Sequence, residues 1–190
     1  CVPLPSELRA PPDESAWVGI PGMWLAVKGF EDSESGMFRY FGSKASLAQH
    51  LPAPTHGTIV ELFAGSAAYA LRYATPNTRV VLIEKIPDIA AVWRYLQQES
   101  STAEILQLPI PSIGESLDNY PGLSAVQRKL ISLFTSVGNK PHTNNMTVGA
   151  WTKWNETTRR ALSERTRLVR GWTIVCGDYR EASKYVEGEA

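Results

Sequence analysis

Two short, continuous apolar runs organise the first half of the chain. "TIVELF" (residues 58–63) and "RVVLIE" (residues 79–84) each predict a strand buried on both faces. A third run, "WTIVCGDY" (residues 172–179), predicts another strand that ends in an acidic turn. Between the first two, the apolar spacing over residues 66–74 changes to that of a helix. After the second, Pro87 opens a helix whose apolar stripe is Ile89, Val92, Trp93 and Leu96, since a proline loses no hydrogen bond in a first helical turn. A shorter helix over residues 44–51 is stopped by Pro52 and Pro54. Strand, helix, strand, helix with short links is the βαβ pattern, which makes the sheet parallel.

The rest of the chain follows a different rhythm. Leu123, Val126, Leu130, Leu133, Phe134 and Val137 recur at helical spacing, and Asn155 can cap a helix running to about Arg170. The loop "GNKPHTNNMTVGAW" between them is polar, and Lys140, His142, Asn144 and Asn145 give it donors for bases or phosphates. Residues 1–36 are rich in proline without periodicity and read as loop or disorder, with Met37 a candidate true start. The expected organisation is therefore an extraneous segment over 1–36, an α/β part over 37–107, a helical insertion over 108–170, and the third strand with its turn over 171–190.

Composition narrows the class. With 190 residues and 43% hydrophobic content, the chain can bury the core of one domain. No run reaches the length of a membrane span, so a soluble, cytoplasmic protein with no membrane partner is expected. Cys1 and Cys176 lie at opposite ends, and His50, His56 and His142 are scattered, so neither a disulfide framework nor a metal site is expected. Net charge is zero but unevenly placed. Between Arg128 and Arg170 nine Lys/Arg, including Arg159 and Arg160, face two acids, while the remainder holds ten basic and seventeen acidic residues. A basic segment in an acidic chain suits a nucleic-acid backbone, and equally a pair of solvated helix faces.

In an open parallel sheet, ligands bind beyond the carboxyl ends of the strands. The first strand ends in Phe63-Ala64-Gly65-Ser66-Ala67-Ala68, whose small side chains admit a ligand to the backbone. The second ends in Glu84, nineteen residues after Gly65, the spacing that places an acid on ribose hydroxyls. The third ends in Asp178 and Tyr179. A dinucleotide turn wants three glycines and only Gly65 is present, and a phosphate loop of the GK[ST] type is absent. A nucleoside without phosphates remains, and S-adenosylmethionine is such a ligand. Lys44 would meet its carboxylate, Asp178 its adenine amine, and Phe63 or Tyr179 its ring. Each residue also has a plain structural reading, as a packed turn, a strand end or a surface cation.

Taken in order, "FRYFGSK", "IVELFAGSAAYA", "VVLIEK" and "IVCGDYREA" resemble the N-terminal half of the adenine-specific DNA methyltransferases of the DNA adenine methylase type. The resemblance covers about residues 37–182. It implies a Rossmann-like S-adenosylmethionine-dependent methyltransferase fold, a partial parallel sheet with a helical target-recognition insertion. It also implies S-adenosylmethionine contacts at Tyr40, Gly42, Lys44, Phe63, Ala64, Gly65 and Ser66, ribose at Glu84, and adenine at Asp178 and Tyr179. The insertion would recognise double-stranded DNA, which is where the basic segment falls.

Two departures matter. Ala67 replaces the second glycine of the family's turn, and the family's catalytic D-P-P-Y occurs nowhere in this sequence. That motif would accept the hydrogens of the adenine N6 amine and so localise its lone pair toward the methyl group, which leads us to expect an incomplete, inactive fragment. The sequence also supplies only the strands on one side of the first strand, central in such a sheet, which would leave it an unprotected edge. The competing expectations are a nicotinamide-dependent oxidoreductase domain using Glu84 on ribose, and a non-catalytic DNA-binding protein on a methyltransferase scaffold.

Overall fold

The computed structural model describes residues 36–38, 45–135, 145–147 and 153–186. Its elements are α1 (Ala45–Ala48), β1 (Thr58–Leu62), α2 (Ala68–Tyr73), β2 (Arg79–Glu84), α3 (Pro87–Gln97), α4 (Ser101–Gln107), a 3-10 turn (Leu117–Asn119), α5 (Ala125–Thr135), α6 (Glu156–Val169), β3 (Thr173–Cys176), a second 3-10 turn (Tyr179–Ala182) and α7 (Ser183–Val186). The strands form one parallel sheet in the order β1-β2-β3, with Val60 opposite Val81 and Ile83 opposite Val175. The fold is thus mixed α/β, and the predicted parallel pairing is present.

Burial follows position in the sheet. β2 is central, and five of its six residues are buried. β1, in contrast, buries only Ile59 fully, which corrects the expectation of a strand covered on both faces. Its largely apolar composition suits a central strand, yet β2 is its one strand neighbour among the described residues, so β1 stands at the edge of the described sheet. β1 also ends one residue early, because Phe63 turns out of the strand with φ 52°.

Local chemistry fixes the helix ends. Pro87 stands at the first turn of α3, and Ile89, Val92, Trp93 and Leu96 are buried as the stripe requires. The Asn155 side chain accepts from the Thr158 N–H at 2.9 Å and caps α6. α2 starts later than its periodicity suggests, since Ser66 and Ala67 belong to the preceding turn. Helix α1 covers four residues of the predicted 44–51, and Lys44 lies outside the described residues. Leu123 precedes α5, and Val137 also lies outside the described residues.

One helix was not legible beforehand. "STAEILQ" buries only Ser101 and Ile105, too little apolar pattern to announce α4. Its partner announces it instead: Ser163 Oγ of α6 donates to the Thr102 carbonyl at 2.6 Å, and the Thr102 and Thr166 hydroxyls meet at 2.8 Å. Leu130, Phe134, Trp154 and Leu162, all from the region expected as an insertion, share one core with Ile59, Val80 and Leu82 of the sheet. The helical region is packed onto the α/β part, not appended to it.

Candidate functional site

The link from β1 to α2 is the most contorted backbone in the described residues. Phe63, Gly65 and Ala67 all have left-handed φ, at 52°, 48° and 50°. Only glycine takes that region freely; Ala or Phe there costs roughly 1–2 kcal/mol. Strain of this kind persists where neighbours over-determine the backbone, and here they do. Ala64 N–H extends the sheet by donating to the Ile83 carbonyl at 3.1 Å, and the Trp93 indole N–H donates to the Gly65 carbonyl at 2.9 Å.

Glu84 completes the grip. One carboxylate oxygen accepts from the Gly65 N–H at 3.0 Å and the other from the Ile86 N–H at 2.8 Å. The nineteen-residue spacing read from the sequence is therefore a direct contact. Glu84 is 4% exposed, with each of its oxygens engaged by a backbone N–H group.

A second acid, missed in the sequence, holds the other side. Glu61 accepts from the Ala70 N–H at 2.8 Å and the Tyr69 N–H at 3.4 Å. It caps α2 from the strand, where the N-cap residue Ala67 has no side chain to do so. The available signal was an acid set into an otherwise apolar strand.

Above this turn the strand ends present two rings. Phe63 is 58% exposed and Tyr179 47% exposed, yet they lie 5.8 Å apart between centroids at 36°. The Arg180 guanidinium stands 5.4 Å from the centre of the Tyr179 ring. Asp178 accepts from the Arg180 N–H at 3.3 Å and from Lys85 Nζ at 3.4 Å. The Arg180 N–H, and after it the Lys85 ammonium, hold its carboxyl below the usual carboxylate range. Phe63, Ala64, Gly65, Ser66, Glu84, Asp178 and Tyr179 thus converge at the carboxyl ends of the sheet. Tyr40, Gly42 and Lys44 lie outside the described residues.

The basic segment looks different in three dimensions. Arg128 donates to the Leu117 and Tyr120 carbonyls, and Lys129 pairs with Asp88 at 3.1 Å. Arg159 donates to the Leu108 carbonyl, Arg165 to the Gly36 carbonyl and Arg170 to the Thr102 hydroxyl. Arg160 pairs with Glu156 on the surface at 2.7 Å. Arg159 and Arg160 line a depression of about 360 Å³ with Leu106, Glu156, Ser163 and Glu164, where the two acids offset the two cations. Asn145 is exposed and bridges to Ser116, while Lys140, His142 and Asn144 lie outside the described residues. Three of the nine cations, Arg128, Arg159 and Arg165, therefore hold the chain's own carbonyl groups.

Among the described residues no three His, Cys, Asp or Glu side chains gather in a way that could hold a metal ion, and no helix is long and apolar enough to cross a membrane. No protein-family model matches the chain, and neither does any curated protein.

Proposed function

We propose that the chain is the cofactor-binding and target-recognition part of a DNA adenine-N6 methyltransferase, built on a Rossmann-like methyltransferase fold and using S-adenosylmethionine. The observation that carries this reading is the convergence of Glu84, the Gly65 turn and the Phe63–Tyr179 ring pair at the ends of adjacent parallel strands. An acid for ribose hydroxyls beside exposed aromatic faces suits a nucleoside.

Glu61 separates this ligand from a dinucleotide. A pyrophosphate in such a fold sits on the N–H groups at the start of the helix after β1. Those of Tyr69 and Ala70 already face the Glu61 carboxylate, so a phosphate would meet a like charge. S-adenosylmethionine carries no phosphate.

In this reading the adenosine ribose engages Glu84 as the turn yields, the adenine lies against Phe63 and Tyr179, and Asp178 accepts from its amine. Asp178 suits an acceptor, since its carboxyl stays ionised into the acid range. Duplex DNA would contact the exposed cations of α6, chiefly Arg160, with Asn145 and the loop residues Lys140, His142 and Asn144 as the base- or phosphate-contacting set. The family's D-P-P-Y, which would accept the target adenine's N6 hydrogens, does not occur in residues 1–190, so these residues should bind cofactor without methylating DNA.

Calorimetry with S-adenosylmethionine and NADH in parallel tests the reading. Binding of the first alone is expected, weakened tenfold or more by Tyr179→Ala. Binding of NADH alone would assign the site to a nicotinamide enzyme. Salt-sensitive duplex binding with neither cofactor bound would leave a non-catalytic DNA-binding protein.

A further inference from the structure

Residues 36–38 form a strap across the back of the nucleoside turn. The Met37 N–H donates to the Ser66 carbonyl at 2.9 Å. Gly36 lies so close that an ideal Cβ on it would stand 2.5 Å from the Ser66 Cβ, too close for two non-bonded carbon atoms. Met37 and Phe38 are 1% and 2% exposed, and the Phe38 ring packs 5.2 Å from that of Trp93. Trp93 in turn holds the Gly65 carbonyl. Two successive carbonyls of the turn, at Gly65 and Ser66, are thereby fixed by a pair of residues that also touch each other's side chains or neighbours.

The outer end of the strap is held from a distant part of the sequence. Arg165, in the middle of α6, donates from Nη1 to the Gly36 carbonyl at 3.1 Å, 129 residues away in the chain. Its guanidinium is largely withdrawn from water, and that burial lowers its pKa from the ordinary arginine value. Removing a charge from water is costly unless the group gains bonds that a neutral side chain could not make. The Arg165 bond to the Gly36 carbonyl ties α6 to the segment whose next residue, Met37, holds the Ser66 carbonyl of the turn.

We propose that Arg165 is a positioning residue for the nucleoside turn: from the helical region it sets the Gly36–Phe38 strap, and the strap sets the Ser66 carbonyl and the left-handed path from Phe63 to Ala67. This rests on the turn being the cofactor site, and the experiment separates the two ideas. Arg165→Met keeps the length and apolar stem but removes every donor. Site-resolved amide exchange of the full chain is measured with and without S-adenosylmethionine, alongside its Kd.

The expected result in Arg165→Met is exchange at least tenfold faster at the Met37 and Gly65 amides, with the central β2 amides of Val81 and Leu82 unchanged. Cofactor affinity should fall five- to tenfold, with partial recovery in Arg165→Lys. Gly36→Ala should open the same amides, and the double variant should add little to either single one, because both act on one strap. Unchanged Met37 exchange, or equal acceleration at Val81 and Leu82, would overturn the proposal by showing either no link or a general loss of stability. If the unsubstituted chain binds no S-adenosylmethionine, the cofactor reading fails, and the exchange pattern still decides whether Arg165 sets the turn. Should Arg165→Met fail to fold, Arg165→Lys and Gly36→Ala carry the same exchange measurement.

Discussion

Ala67 occupies a backbone position that suits glycine, and the consequence can be weighed. Ala67→Gly would relieve roughly 1–2 kcal/mol of left-handed strain. It would also forfeit a buried methyl group, about 0.8 kcal/mol, and add about 0.4–1 kcal/mol of unfolded-state entropy. The terms nearly cancel, so urea unfolding should place Ala67→Gly within about 1 kcal/mol of the parent. Ala67→Val adds a branched side chain at a fully buried, left-handed site and should cost at least about 2 kcal/mol. Equal stability of the two variants would mean that the turn takes another path. Tyr95 offers a second residue-scale test. Burial pushes its phenol up to about 12 from 10.0, Gln127 draws it partly back and the Glu104 carboxylate adds to the rise; both stand near the buried hydroxyl but outside hydrogen-bond geometry. A raised value means that the folded state keeps its proton longer than the unfolded one. The stability this supplies is complete below pH 10 and is lost as the pH climbs toward 12. Tyr95→Phe should therefore melt no lower than the parent near pH 7 and decline less steeply between pH 10 and 12. Among the site residues, Glu84 was legible because its distance along the chain from Gly65 is a consequence of one βαβ turn. The strain at Phe63 was not, because nothing in an aromatic side chain announces a positive φ.

At the scale of elements, α2 shows why some boundaries cannot be read locally. Its cap is Glu61, which precedes the helix by seven residues and reaches it only because β1 and α2 are packed together. Glu61→Ala should lower stability by about 1 kcal/mol, the ordinary cost of a lost cap, and speed amide exchange at Ala70 before that of β2. Glu61→Gln keeps an acceptor oxygen and should recover most of the loss. If Glu61→Ala leaves Ala70 protected, the short helix is held by packing alone. The helices whose starts were predicted to the residue carry their own punctuation: Pro87 starts α3, and Asn155 caps α6 through the Thr158 N–H. Those that were missed or misjudged depend on neighbours. α4 has little apolar pattern and is fixed by hydroxyl bonds to α6, and the exposure of β1 reflects the number of strands beside it, which its own five residues do not encode.

At the scale of the whole molecule, the charge pattern is the feature the sequence presented most misleadingly. Nine cations between Arg128 and Arg170 suggest a broad polyanion surface, but Arg128, Arg159 and Arg165 point their guanidinium groups at the chain's own carbonyls. Arg is suited to that task, since its planar fork can satisfy several backbone oxygens at once. The cations that remain at the surface of α6 and its end are Arg160, Arg167 and Arg170, interspersed with Glu156 and Glu164. If these three meet phosphates, binding to duplex DNA should weaken with a log–log salt slope of about −3, at roughly 0.9 per phosphate. That corresponds to a loss of about fortyfold in affinity between 50 mM and 200 mM salt. Reversing the charge in Arg160→Glu should make the slope shallower by about one without moving the melting temperature. Arg128→Ala should do the opposite, leaving the slope in place while destabilising the fold, because the Leu117 and Tyr120 carbonyls lose their shared donor. A measured slope of about −6 or steeper would mean that the inward arginines release those carbonyls on meeting DNA, and the helical region would then have to rearrange as it binds.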